Sequence, residues 1–190
     1  MGVEMKIYFT ASIVGKKNYL QNYLKIVEIL TKKGHQVSSD HIINASENQI
    51  NLQTETQRQK FHKELKKWIM DADAMVVETS FPSISVGFEI SLALNLGKPV
   101  LLLHTNEGPT LLSSYNNEKL FCEKYTLQTL RDIIDDFLLY VEGNADSRFT
   151  FFITSNIAHY LEKVSRKRKL PKSVYLRRLI EKDMVQSSIS

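Results

Sequence analysis

The chain has 190 residues, 43% of them apolar and 24% charged, with a formal net charge of +4. This is ordinary globular composition, long enough for one well-buried domain and a smaller appendage. Its longest apolar runs, such as Lys98–His104, fall far short of the roughly 20 residues of a membrane-spanning helix. A soluble protein without membrane association is therefore expected. Cys122 is the sole cysteine, which excludes an internal disulfide. The amino-terminal stretch lacks the basic, apolar and small-residue parts of a secretory signal, so a cytoplasmic location is expected.

Met5–Thr10 reads as a short buried strand, and Tyr19, Leu20, Tyr23, Val27 and Leu30 then recur at helical spacing. Gly34, after Lys32 and Lys33, has the place of a helix C-cap, and a strand over His35–Ser39 follows. Ile42–Thr56 is polar, rich in Asn and Gln and without period, and reads as a long loop of the kind that closes over sites. Gln57–Met70 predicts a helix with Phe61, Leu65, Trp68 and Ile69 on one face. Ala74–Glu78 is a continuous apolar strand, Val86–Leu96 a helix ended by Gly97, and Pro99–Leu103 another strand. Pro109–Glu118 is a second polar loop and Thr126–Val141 a closing helix. Strands alternating with helices predict an α/β fold, a Rossmann-like or flavodoxin-like parallel sheet with helices on both faces. Ligands bind such sheets at the carboxyl ends of the strands, where Thr10–Ser12 and Glu78–Glu89 fall.

Gly143–Ser147 has linker composition, which divides the chain into an α/β domain over residues 1–143 and a small segment over 148–185. From Arg148 onward ten Lys or Arg face three acids, a net +7, whereas the preceding residues carry 15 basic and 18 acidic groups, a net −3. The basic balance belongs to the tail, a pattern that suits a polyanionic partner. Arg148–Thr154 reads as a strand, Ser155 as the cap of a helix bearing Ile157, Tyr160, Leu161 and Val164, and Ser173, after Leu170-Pro171, as the cap of a second. One strand and two helices in so few residues bury too little surface alone, so an intertwined homodimer is expected. Order, lengths and turn resemble the ribbon-helix-helix family of dimeric DNA-binding modules. By alternation Arg148, Thr150 and Phe152 share the strand face that the resemblance assigns to DNA, with Lys172 and Ser173 at the second helix start near phosphate. The alternative is a dimerisation clamp whose Arg166–Lys169 run is a solvated helix end.

The loop Ser80–Glu89 offers three hydroxyls, a glycine at Gly87 that permits close backbone approach, and a carboxylate expected in the first turn of a helix. Those parts suit a sugar or phosphate, and the helix amino terminus would favour the ionised, nucleophilic form of Glu89. Cleavage of a glycosidic bond needs such a carboxylate and a proton for the leaving group. The runs Met5–Gly15 and Gly34–His41, together with Ala72-Asp73, Pro82-Ser83, Gly87-Phe88-Glu89 and Gly97–Val100, resemble the nucleoside 2-deoxyribosyltransferase family. Within it they are most similar to the branch of 2′-deoxynucleoside 5′-phosphate N-hydrolases, over Met5–Tyr140.

The resemblance implies a nucleoside or nucleotide substrate, Glu89 as nucleophile on the anomeric carbon and Tyr8 as the hydroxyl that orients it. It implies that Ser12, Ile13 and Ser83 line the sugar or phosphate pocket, and that Ser113 completes the phosphate site of a neighbouring subunit, hence a homodimer or higher homo-oligomer. The family's acid on the second helix falls on Leu65. Its neighbour Glu64, about 100° away around the helix, is expected to take over by a rotation of that helix. The branch's arginine after Ser-Ile falls on Val14, leaving Lys16 or Lys17 as the nearest cations for a phosphate.

The five histidines, His35, His41, His62, His104 and His159, lack paired ligand spacing, so no metal site is expected. His41 and His62 are placed at the pocket, although a lone histidine is more often structural. No phosphate-binding or dinucleotide glycine motif is present, and no cofactor is expected. An enzyme of N-glycosidic cleavage or deoxyribosyl transfer is the preferred reading. The alternative is a nucleotide-sensing DNA-binding regulator with an impaired catalytic domain.

Overall fold

The computed structural model describes residues 3–46, 54–109, 117–143, 153–168 and 170–187. Strands β1 (Lys6–Ala11), β2 (Gln36–Ser38), β3 (Ala74–Glu78), β4 (Val100–His104) and β5 (Leu120–Lys124) form one sheet. Its order is β2-β1-β3-β4-β5, and every pairing is parallel. The chain steps outward to β2 and then back across β1, so the order reverses between β1 and β3. That reversal opens a crevice at their carboxyl ends.

Side-chain alternation sorts the sheet into two cores. Ile7, Phe9, Val76, Leu101 and Leu103 pack with α1 (Lys16–Lys32) and α5 (Leu130–Val141) on one face. Tyr8, Met75, Val77, Val100 and Leu102 pack with α3 (Glu55–Asp71) and α4 (Ile84–Asn95) on the other. β3 and β4 are buried along their whole length, which is why they read as unbroken apolar runs. Each fully buried aliphatic side chain is worth roughly 1.5–3 kcal/mol relative to exposure.

Several expected boundaries move, each for a local reason. α3 begins at Glu55 because Thr54 and Gln57 close a reciprocal capping box, Gln57 N donating to Thr54 Oγ1 at 3.3 Å and Thr54 N to Gln57 Oε1 at 2.8 Å. α4 begins at Ile84, with Ser83 Oγ accepting from Val86 N at 3.5 Å. Glu89 therefore lies in the second turn, not the first. A short helix, α2 (Asp40–Ile43), spans the step between the expected strand and the start of the expected loop at Ile42. β5, absent from the sequence reading, is a half-buried edge strand whose outer side needs no apolar residues.

The tail contains α6 (Ser155–Arg168) and α7 (Lys172–Ser187). Thr154 rather than Ser155 caps α6, its hydroxyl accepting from Ile157 N at 3.4 Å. Ser173 lies inside the first turn of α7 rather than capping it. Leu161, Val174 and Tyr175 are buried within the single chain, and Arg177 Nη1 reaches Asp136 Oδ1 of α5 at 2.6 Å. The tail therefore finds part of its burial without a second copy. The expected strand with Arg148, Thr150 and Phe152 lies outside the described residues. No helix among the described residues is long and apolar enough to cross a membrane.

Candidate active site

Tyr8 points from β1 towards the α3–α4 side of the sheet, where α4 delivers Glu89. Tyr8 Oη donates to Glu89 Oε2 at 3.0 Å, and the two residues are 0% and 6% exposed. Burial raises the Glu89 carboxyl above its usual range, opposed by Thr10 and by the Tyr8 hydrogen bond. Burial, then the Glu89 charge, raises the Tyr8 phenol so far that it remains a donor at any ordinary pH. Thr10 lies close enough to bias both groups towards ionisation, although its buried hydroxyl forms no hydrogen bond of ordinary geometry. The helix-end argument for Glu89 is thus replaced. Being in the second turn, it is governed by desolvation and by Tyr8 and Thr10, because the dipole effect fades beyond the first turn.

Glu89 lines a cavity of about 690 Å³, within the range of small-molecule sites, and Tyr8 is fully buried against it. The β1–α1 loop contributes Ser12, Ile13 and Val14, and α2 contributes Asp40 and His41. α3 presents Arg58, Phe61, His62 and Leu65, and the start of α4 presents Ser83, Phe88 and Glu89. The His41 ring stacks on Tyr8, with centroids 4.9 Å apart and 16° between planes, and lies 5.2 Å from Trp68. Burial lowers its pKa to about 4, so the ring is neutral at physiological pH. Its Nε2 is buried without a hydrogen-bond partner.

Of the residues singled out from sequence, Tyr8, Glu89, Ser12, Ile13 and Ser83 converge here. Gly87 does not border this cavity. It lies on a neighbouring hollow of about 650 Å³ with Ser80 and Asn106. Glu64 is a correction: it is exposed on α3 while Leu65, 4% exposed, takes the inward position. Leu65 packs with Ile69 in the core of that face, and the helix would have to give up that burial to turn Glu64 inward. Lys16 is also displaced from its expected role, since its Nζ donates to Ile43 O at 2.8 Å and Ala45 O at 2.6 Å. Lys172 pairs with Glu162, which also accepts from Arg166 at 3.0 Å. Ser113 lies outside the described residues. Arg58 escaped notice in the sequence, although its spacing to Phe61, His62 and Leu65 follows one helix face.

Ser12 shapes the loop that bears it: its Oγ accepts from Gly15 N at 3.2 Å, and its carbonyl accepts from Tyr23 Oη at 3.1 Å. Gly15 meets the β3–α4 loop, and a Cβ placed there would fall 2.7 Å from Phe81 Cβ and 2.8 Å from Tyr23 Oη. Only glycine fits that approach. Behind the β3–α4 loop Glu78 is fully buried, accepting from Ser80 Oγ and from Tyr125 Oη at 3.2 Å, with its second oxygen unpartnered.

The profile of the nucleoside 2-deoxyribosyltransferase family matches residues 7–145. The chain belongs to this enzyme family. A relative from Methanococcoides burtonii, assigned by name as a 2′-deoxynucleoside 5′-phosphate N-hydrolase, is 36% identical over 53% of this chain and 80% of its own length. The 5-hydroxymethyl-dUMP N-hydrolase of Rattus norvegicus is 32% identical over 57% of this chain and 66% of its own. Among solved structures, a 2-deoxyribosyltransferase from Bacillus psychrosaccharolyticus superposes with a TM-score of 0.50 at 18% identity. That superposition covers 67% of this chain and 89% of the other, and it corroborates the deoxyribosyltransferase fold. Residues 146–190 lie beyond the family match.

Proposed function

We propose that this protein cleaves the N-glycosidic bond of a 2′-deoxynucleoside 5′-phosphate. Glu89 attacks the anomeric carbon, and water then resolves the glycosyl-enzyme. The observation that carries this reading is the buried hydrogen bond from Tyr8 to Glu89 at the cavity wall. Tyr8 holds one carboxylate oxygen and so presents the other to the sugar. Burial makes that oxygen poorly solvated and therefore more nucleophilic once ionised. A covalent intermediate splits one difficult displacement into two easier ones.

The aromatic wall of Phe61 and His41, backed by Trp68, suits a nucleobase, and Ser83 with the Ser12–Val14 loop suits the sugar and its 5′ group. Two apolar side chains of α4 beside the cavity, Ile84 at 95% and Phe88 at 52% exposure, support a homodimer in which Ser113 completes the neighbouring site. The test is incubation with a panel of deoxynucleosides and their monophosphates, with free base read by chromatography. Release of base by the wild type and its loss in Glu89→Gln are expected. Unchanged turnover in Glu89→Gln would overturn the assignment.

A further inference from the structure

Breaking a bond to a nucleobase nitrogen leaves an electron pair on that nitrogen, and a neutral base departs quickly only if the pair is protonated as it forms. The helix position at which the family resemblance implies an acid holds Leu65, and its neighbour Glu64 faces outward. The proton must come from elsewhere in the cavity. Arg58 does not release protons. His41 has a pKa near 4 and is packed between Tyr8 and Trp68, so it carries no proton to give at neutral pH.

Among the described residues that line the cavity two such groups remain, Asp40 on α2 and His62 on α3, and the geometry favours the second. Arg58, Phe61, His62 and Leu65 stand at i, i+3, i+4 and i+7 and form the single stripe that α3 turns to the cavity. His62 is three residues from Leu65, about 4.5 Å along the axis and on the same side. Its ring meets Phe88 edge-to-face across the cavity, with centroids 5.8 Å apart at 80°, and Phe88 is the chain neighbour of Glu89. His62 and Glu89 thus line one cavity from α3 and from α4, an arrangement that suits a proton donor on the base side and a nucleophile on the sugar side. Imidazole is also the side chain that ordinarily exchanges a proton between pH 5 and 8.

We propose that His62 is the proton donor to the leaving base, a role that rests on the N-glycosidic reading above. In the first step a Glu89 oxygen bonds to the anomeric carbon, the carbon–nitrogen bond breaks, its electron pair goes to the base nitrogen, and that nitrogen takes the imidazolium proton. In the second, the neutral imidazole takes a proton from the water that attacks the anomeric carbon, and Glu89 leaves as carboxylate. The charged and titratable groups that share the cavity with His62 are Arg58 from α3, Asp40 and His41 from α2, and Glu89 from α4, and Lys66 lies one turn further along α3.

The test compares wild type, His62→Gln, Asp40→Asn and Glu89→Gln on a deoxynucleoside monophosphate and on 4-nitrophenyl 2-deoxyriboside 5-phosphate, whose leaving group needs no proton. For His62→Gln, kcat/KM should fall on the order of 10²–10³-fold on the nucleotide and less than about threefold on the nitrophenyl substrate. The basic limb of its pH profile on the nucleotide should vanish. Glu89→Gln should lose both activities. Equal losses of His62→Gln on both substrates, no loss on either, or a leaving-group-dependent loss in Asp40→Asn instead would each overturn the proposal while leaving the N-glycosidic reading intact. A wild type that cleaves neither substrate would overturn both. His62 is exposed, so its variant is expected to fold, which a melting curve verifies.

Discussion

The hydroxyl of Tyr8 and the carboxylate of Glu89, 81 positions apart in the chain, meet at 3.0 Å beneath the crevice between β1 and β3. The contact biases both partners: Glu89 is held more readily ionised than its burial alone would leave it, and Tyr8 is held protonated.

Removing the phenolic hydroxyl should therefore act through Glu89. In Tyr8→Phe the hydrogen bond that lowers the carboxyl pKa is lost, so that pKa rises and the acid limb of kcat/KM moves to higher pH. Turnover at neutral pH should fall about 10–100-fold, consistent with about 1.5–3 kcal/mol for a hydrogen bond to a charged group. A pH–rate profile of the variant on the best nucleotide substrate checks both. An unmoved acid limb would show that Tyr8 does not govern Glu89.

Glu64 and Leu65 should part company. Glu64→Gln, on the exposed side of α3, should leave turnover within about twofold and stability within about 0.5 kcal/mol. Leu65→Ala, in a buried position, should cost about 2–4 kcal/mol of unfolding free energy. Urea denaturation and steady-state rates on the two variants measure this. A strong rate loss in Glu64→Gln would restore it to the site.

His41 predicts a pH dependence of stability. Its folded pKa is lowered to about 4 from an ordinary 6.5, so between those values the folded state binds fewer protons than the unfolded chain. The contribution is fully present above about pH 6.5 and is lost as pH falls towards 4, by at most about 3 kcal/mol. His35, also lowered by burial, acts in the same direction, and the raised carboxyls Glu78 and Glu89 act in the opposite one. The difference between wild type and His41→Gln isolates the term. Unfolding curves at pH 7 and pH 5 should bring the two proteins closer together at the lower pH, and parallel curves would show His41 to be readily protonated in the fold.

Glu78 predicts the reverse. Burial raises its folded pKa, against the opposing hydrogen bonds from Ser80 and Tyr125, so ionisation costs stability as pH rises. Glu78→Gln retains a carbonyl acceptor for both hydroxyls and removes the charge. It should be the more stable protein at pH 8, by about 1–2 kcal/mol, with the gap closing towards pH 5. Thermal melts across that range decide it, and a variant less stable at pH 8 would indicate that the ionised form is the one the fold accommodates.

The α/β character and four of the five strands were legible in the chain because buried parallel strands are written as continuous apolar runs and the loops between them as polar, glycine-bearing stretches, whereas the pairing of Tyr8 with Glu89 came from the family resemblance alone. β5 was not, because Phe121, Cys122 and Glu123 on a half-exposed edge carry little of that pattern. The inward choice between Glu64 and Leu65 was set by tertiary packing: family spacing pointed to Leu65, chemistry to Glu64, and the core that Leu65 joins with Ile69 decided it. α2 was hidden because four residues carry too little periodicity to register, yet it brings His41 onto Tyr8. Lys16 was misread for the same reason, since the carbonyls it satisfies belong to a segment 27 and 29 residues away.

Gly15 has a consequence for how the crevice behaves. The nearest obstacle to any side chain there is Phe81 Cβ, an atom fixed to the main chain, so trimming the Phe81 ring could not relieve the contact and only displacement of a whole loop would. The β1–α1 and β3–α4 loops are thus already seated on each other at Gly15 and Phe81, and they can come no nearer than they stand.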